Sequence, residues 1–288
     1  MNNKNPKRAL LIILDGVGVA PVGDNNGWSL ANTPNIDILM HDYPSTIIDA
    51  SGTSVGLPEG QMGNSEVGHM IIGSGTIFKQ YLVVINEAIN DSTFYENKTL
   101  LNAILAAKKS GHNLHLLGLV SYGGVHSHIN HLFALLKLCS THGVSPKLHL
   151  FTDGRDSDPK SASEIFNDLD VQLKKYGGEI YTISGRYYAM DRNQRWDRTE
   201  LSWQAIVNNK GDLAKNYEDA LKNSYAKNIT DEFILPTVLD GAQPLKMNDS
   251  LLFFNFRNDR TRQIARALNV DRFDNFKRTN NNMAYSIS

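Results

Sequence analysis

The chain has 288 residues, 41% hydrophobic and 20% charged, with a formal net charge of −1. That length buries a sizeable core and accommodates two domains, and the composition excludes a disordered or fibrous chain. The near-zero charge excludes a general attraction to nucleic acid, so any preference for anions must come from a local cluster.

The first predicted element is the apolar run 9–14, read as a buried strand that ends at Asp15-Gly16. A carboxylate at the end of a parallel-type strand is where such sheets place ligands and metals. The basic segment before the run is too short in apolar residues for a signal peptide. No run approaches the roughly 18 apolar residues of a membrane span. The expected protein is therefore cytoplasmic, with no membrane partner.

The glycine-rich run Met62-Gly63-Asn64-Ser65-Glu66-Val67-Gly68-His69 follows. It reads as a loop that lifts Ser65 to the mouth of a sheet as a nucleophile. A serine hydroxyl needs a base or a metal to activate it, and no general base stands beside Ser65 in the sequence. Divalent ions held by carboxylates and histidines could serve. The structural alternatives are that Asp15 caps a turn with Gly16 and that Ser65 caps a helix. A domain boundary is expected between residues 78 and 86, and what precedes it is thin material for a self-sufficient domain.

Beyond the boundary, apolar runs at 114–120, 147–152, 179–184 and 250–256 alternate with helix candidates at 97–110, 129–142, 160–176, 198–209 and 258–269. Such alternation argues for βαβ units around a parallel sheet. Ile165, Leu169 and Leu173 recur at intervals of four, and Gly177-Gly178 supplies a stop. The single cysteine, Cys139, lies in a helix-like apolar run, which makes it a buried, inert thiol; it excludes a disulfide framework. The closing stretch 279–288 lacks periodicity and reads as a disordered tail.

The four strands after the boundary end in polar loops: Ser121–His128, Asp153–Pro159, Gly185–Arg192 and Arg257–Arg260. Parallel strands place these loops on one edge, so Arg155, Arg186, Arg192, Arg257 and Arg260 converge. Convergent guanidiniums suit bidentate binding of phosphate and carboxylate. His126 and Asp156 would supply proton handling or orientation there. The alternative is a set of surface arginines paired with nearby aspartates. His128 and His131 are read as helix-start and packing residues rather than metal ligands, since their spacing is loose and no cysteine accompanies them.

These motifs, together with Leu14-Asp15-Gly16, Thr33-Pro34-Asn35-Ile36-Asp37 and Phe254-Asn255-Phe256-Arg257-Asn258-Asp259-Arg260, resemble cofactor-independent phosphoglycerate mutase over residues 8–278. The resemblance implies an α/β chain with a parallel-sheet transferase domain, residues 80–278, and the N-terminal piece of an alkaline-phosphatase-like domain, residues 1–79. It implies interconversion of 3- and 2-phosphoglycerate in glycolysis and gluconeogenesis through a phosphoserine intermediate, with two metal ions, usually manganese. Ser65 would be the residue phosphorylated and would ligate a metal with Asp15. His126, Arg155, Asp156, Arg186, Arg192, Arg257 and Arg260 would bind the glycerate phosphate and carboxylate. The expected state is a monomer acting on a small molecule, with no nucleic-acid partner.

The chain departs from the family in having Val17 where tryptophan is usual and Thr76 where arginine is common. It is also shorter. The family's second phosphatase piece supplies the remaining metal ligands, including the histidines, whereas no histidine follows His149 here. Two alternatives therefore stand beside the active mutase: a truncated, catalytically silent chain, and a phosphopentose mutase of the same superfamily, against which Arg155-Asp156 and the 187–192 motif weigh. Residues 80–278 are expected to fold cooperatively, and 1–75 to be poorly supported because strand 9–14 would lack neighbours.

Overall fold

A computed structural model describes residues 10–269, 272–278 and 286–287. The chain divides into two compact units, Met1–Gln80 and Tyr81–Ser288. Local signals explain the helices of the first. Asn26 accepts the Trp28 and Ser29 amides to open α1, Gly27–Leu30. Pro34 occupies the first position of α2, Pro34–Asp42. Asn64 caps α3, Ser65–Ser74, which ends at left-handed Gly75. The core of this unit is small: Val55, Leu57 and Val67, with Ile71 packed against them.

The expected strand at 9–14 is not formed within the described residues. Residues 10–14 have no regular structure, and Leu10 is 85% exposed. A run apolar on both faces becomes a strand only between neighbouring strands with both faces covered. No described segment of the first unit is a strand, so the run has no ladder to join.

The second unit opens with α4, Tyr81–Asn90, and α5, Lys98–Ser110, the latter set by an Asn97 cap and a left-handed Gly111 stop. Then follow β1 Leu114–Val120, α6 Ile129–Thr141, β2 Lys147–Thr152, α7 Ala162–Tyr176, β3 Glu179–Gly185, α8 Arg186–Ala189 and α9 Trp196–Asn208. The rest comprises β4 Asp212–Ala214, α10 Tyr217–Ala226, β5 Thr237–Leu239, β6 Ser250–Phe253, α11 Arg262–Asn269 and β7 Ser286–Ile287. The sheet order is β4-β5-β3-β2-β1-β6-β7. Alternate residues of the central strands feed two cores. Leu116, Leu148, Leu150 and Ile183 pack with α5, α6 and α7. Leu117, Leu119 and Phe151 pack with Trp203 of α9 and Ile264 of α11. Helices cover both faces of the central strands, which is why β1 is buried at every residue. Ile165 and Leu169 bury the inward face of α7, with Leu173 packed beside them. Cys139 is fully buried, and burial pushes its thiol up to about 12.

The sheet is mixed rather than parallel throughout, because β5 runs antiparallel to β3. β4 and β5 have only three residues each, too few to carry a readable period. Strand 250–256 stops at Phe253, and helix 258–269 starts at Arg262, leaving Arg257–Arg260 in a turn. Most of the expected disordered tail, 279–285 and Ser288, lies outside the described residues. Ser286 and Ile287, however, pair in parallel with Ser250 and Leu251, since the open edge of β6 offers unpaired backbone groups to any extended segment. No helix of the described residues is long and apolar enough to cross a membrane.

A buried polar chain ties three strands together. His115 Nε2 lies 3.2 Å from Asp249 Oδ2, His115 Nδ1 lies 2.9 Å from His149 Nε2, and His149 Nδ1 lies 2.9 Å from Thr182 Oγ1. Burial, and then the neighbouring His115, hold His149 well below its ordinary range. Burial is also the main force that pushes His126 and His131 down to about 4 from 6.5. The unfolded chain therefore binds more protons than the folded one below pH 6.5, so stability is lost as pH falls from about 6.5 toward 4. Urea denaturation at stepped pH should show the midpoint dropping through that window; a flat profile would mean that these imidazoles protonate freely in the folded protein.

Candidate functional site

β1, β2, β3 and β6 are mutually parallel in adjacent positions, so their C-terminal ends share one edge. The loop after β2 is built around Asp153. Its Oδ1 accepts the Arg155 and Asp156 amides at 3.2 and 3.0 Å, and its Oδ2 accepts the Ser121 hydroxyl at 2.6 Å. Gly154 makes this fold possible. It has φ +68°, and a Cβ there would lie 2.8 Å from the Glu232 nitrogen.

Arg186, at the first turn after β3, is buried and donates from Nη1 to Asp153 Oδ1 and Asp156 Oδ2, each at 2.6 Å. Burial works against the guanidinium charge, but the two carboxylates outweigh it and raise its affinity for the proton. Asp153 shows the converse: burial is opposed by Arg186 and the Ser121 hydroxyl, and the carboxyl stays below its usual range.

His126 sits between two acids, with Nε2 3.8 Å from Asp156 Oδ2 and Nδ1 3.4 Å from Asp259 Oδ1. At about 4 it is neutral near pH 7, because burial first and Arg186 second oppose its charge. Arg192 Nη1 lies 2.6 Å and Arg257 Nε 3.3 Å from Asp259. Arg155 pairs with Glu232 at 3.3 Å. Arg198 lies 3.8 Å above the Tyr187 ring and 3.5 Å from Asp191. Arg260 differs from these. Its Nη1 donates to the Met190 carbonyl at 3.4 Å, its Nε is buried without a hydrogen bond, and it has no carboxylate partner among the described residues. Burial, followed by repulsion from Arg186, Arg192 and Arg155, lowers its pKa.

Arg155, Arg186, Arg192, Arg198 and Arg260 line a polar cleft of about 340 Å³. Every substrate residue expected from the sequence thus belongs to one network. Arg155, Arg186, Arg192 and Arg260 line the cleft, Asp156 pairs with Arg186, and His126 and Arg257 join through Asp259. The alternative of surface arginines paired with aspartates fits only in part. Arg192 and Arg257 pair with Asp259, but Arg186 is buried against its aspartates, Arg155 pairs with Glu232, and Arg260 has no carboxylate partner among the described residues. What sequence reasoning did not assign were the counter-ions Asp153, Asp191, Asp259 and Glu232. The alternation of Arg and Asp within 153–156 and 257–260 was a signal for the first and third; for Glu232 there was none. His128 accepts the Asn130 amide at the start of α6, and His131 is buried within it, as a helix-start and a packing residue.

In the first unit Asp15 precedes left-handed Gly16 in a turn. Ser65 is not the helix cap, because Asn64 takes that role through the Val67 amide at 3.1 Å. The Ser65 hydroxyl is left to donate to Asp15 Oδ2 at 2.7 Å. His69, one turn on, places Nδ1 2.8 Å from the Ser65 carbonyl oxygen and 3.3 Å from its Oγ; the motif contained it, but its place beside the serine emerges only in the helix. Asp15 and Ser65 are two ligand residues with three side-chain oxygens between them, fewer than one divalent cation collects and far fewer than two need. No group of three or more His, Cys, Asp or Glu suited to a metal occurs among the described residues. These residues by themselves do not fit a two-cation centre.

The fold is α/β with a mostly parallel sheet, and five arginines gather at a cleft near its strand ends. The family described as the BPG-independent PGAM N-terminus matches residues 85–287, and the chain belongs to that family as its N-terminal part. It is 49% identical over 285 residues to the 2,3-bisphosphoglycerate-independent phosphoglycerate mutase of Clostridium novyi, covering 97% of this chain and 56% of that protein. It is 50% identical over 280 residues to the protein of the same name from Clostridium tetani, covering 95% and 55%. The crystal structure of Leishmania mexicana phosphoglycerate mutase at low cobalt concentration superposes with a TM-score of 0.84 at 28% identity, covering 96% of this chain and 53% of that one. The chain thus spans about half the length of the relatives it matches.

Proposed function

We propose that this chain serves the interconversion of 3- and 2-phosphoglycerate, with residues 80–278 as the substrate-holding domain and Ser65 as the phosphoryl acceptor. The observation that carries the reading is Arg260, a guanidinium that forms no ion pair with a carboxylate among the described residues and lines a cleft with four other arginines. Such a cation is stabilised by an arriving anion, and guanidiniums pair phosphate and carboxylate oxygens two at a time. In the reaction the Ser65 oxygen would attack phosphorus as the bond to one glycerate oxygen breaks, giving phosphoserine and a glycerate hydroxyl. The other glycerate hydroxyl would then attack phosphoserine and release Ser65. Asp15 holds the Ser65 proton in a hydrogen bond at 2.7 Å and so aims the oxygen. Neutral His126 can donate to or accept from the bound acid.

Divalent cations would lower the barrier to serine attack, yet Asp15 and Ser65 are too few to hold them. The remaining ligands would come from sequence equivalent to the rest of the relatives' length, on the same or a separate polypeptide. This shortfall, with the exposed run 10–14, favours a second reading: the 288-residue chain binds phosphoglycerate but does not turn it over by itself.

The test is an assay of 2-phosphoglycerate formation from 3-phosphoglycerate with manganese, alone and mixed with the C-terminal part of the Clostridium novyi relative. Turnover is expected only in the mixture, and Ser65→Ala should abolish it. Turnover by the chain alone would overturn the second reading. Failure of the chain to bind 3-phosphoglycerate in calorimetry would overturn the first.

A further inference from the structure

Asp259 and Asp153 are both carboxylates among arginines, but they are held differently. Asp153 is 2% exposed and accepts hydrogen bonds from two backbone amides, a serine and Arg186. It is a built-in counter-ion around which a loop folds. Asp259 meets three groups with two oxygens: Arg192 at 2.6 Å, Arg257 at 3.3 Å and His126 at 3.4 Å. Its Oδ1 is buried without a hydrogen bond, and so is the His126 Nδ1 that faces it. Asp259 Oδ2 accepts a hydrogen bond from Arg192 at 2.6 Å. The carboxylate is thus fixed at one oxygen and open at the other, whereas both carboxylate oxygens of Asp153 are bonded.

Its setting allows movement. Asp259 lies in the turn between β6 and α11, and its side chain is 29% exposed. Solvent is therefore within reach if another anion takes its place. Burial works against its charge, and Arg192 and Arg257 keep it ionised, so the pocket holds an anion even without a ligand.

We infer that Asp259 is an internal counter-anion that occupies the anion subsite formed by Arg192, Arg257 and His126 and is displaced by an anionic group of the ligand. The inference rests on the reading of the cleft as a phosphoglycerate pocket. It makes Asp259 a positioning residue: it keeps the two arginines and the imidazole gathered, at the expense of affinity. A single negative charge on the protein must be outcompeted, which favours a dianionic phosphate over a lone carboxylate at this subsite.

Calorimetry of 3-phosphoglycerate with the full chain tests it. Asp259→Asn keeps the shape and removes the competing charge, and binding should tighten about fivefold, the size of one partly exposed charge interaction. Asp259→Glu retains the charge and should not tighten binding. Should the asparagine variant fail to fold, as judged by its thermal transition, Asp259→Ser is read in its place with the same expectation. Equal or weaker binding by the neutral variants, with the wild type still binding, would overturn the inference and leave the pocket standing. No binding by the wild type would overturn the pocket itself.

Discussion

Replacing Arg186 with methionine is expected to lower the stability of the protein by about 3–5 kcal/mol and to remove phosphoglycerate binding, the first because an ionised partner is left buried and unpaired. Asp153, 2% exposed, would lose its 2.6 Å ion pair, and Asp156 the same guanidinium nitrogen. The backbone of the 153–156 loop depends on Asp153, so the loop that presents Arg155 would loosen with it. A double variant, Arg186→Met with Asp153→Asn, removes the stranded charge and should recover part of the stability without recovering binding. Arg186→Lys keeps a charge but replaces a planar fork with a point, so partial recovery of both is expected. Urea denaturation gives the first quantity and calorimetry with 3-phosphoglycerate the second. A stability loss below about 1 kcal/mol would show that the Ser121 hydroxyl and the loop amides satisfy Asp153 without Arg186.

Arg260→Ala should separate the two properties that Arg186 couples. Arg260 donates one long bond to the Met190 carbonyl, at 3.4 Å, and is opposed by Arg186, Arg192 and Arg155. Its removal relieves like-charge repulsion, so the unfolding midpoint should stay the same or rise slightly. Affinity for 3-phosphoglycerate should fall about 100-fold, the scale of a lost charge-assisted contact in a desolvated pocket. Arg260→Lys should restore only part of it. Unchanged affinity would show that the ligand is held by the other arginines, and a large drop in the midpoint would show that Arg260 is a packing residue.

The contrast between these two arginines was not legible in the sequence, where both follow a strand and stand near aspartates. The convergence itself was legible, because parallel strands place all their following loops on one edge. Which arginine has a partner was not, since the pairs join residues far apart: Arg155 with Glu232 spans 77 positions, and Arg192 with Asp259 spans 67. Ser65 shows the same limit at short range. The sequence left it as nucleophile or helix cap, and the difference turns on whether Asn64 or Ser65 opens α3. Asn64 does, which leaves the serine hydroxyl facing Asp15, fifty positions away.

By itself, then, the sequence determined the central strands and, α10 excepted, the long helices between residues 97 and 269, together with the strand-end motifs and the family to which they belong. These depend on local periodicity, caps and runs of several residues, all of which are written along the chain. Only the tertiary structure decided that 10–14 forms no strand among the described residues, that β5 runs against β3, and that each cleft arginine but Arg260 is held by an acid. A strand exists only where a neighbour completes its hydrogen bonds, and an ion pair only where distant loops are brought within a few ångströms. Neither condition is a property of any one segment.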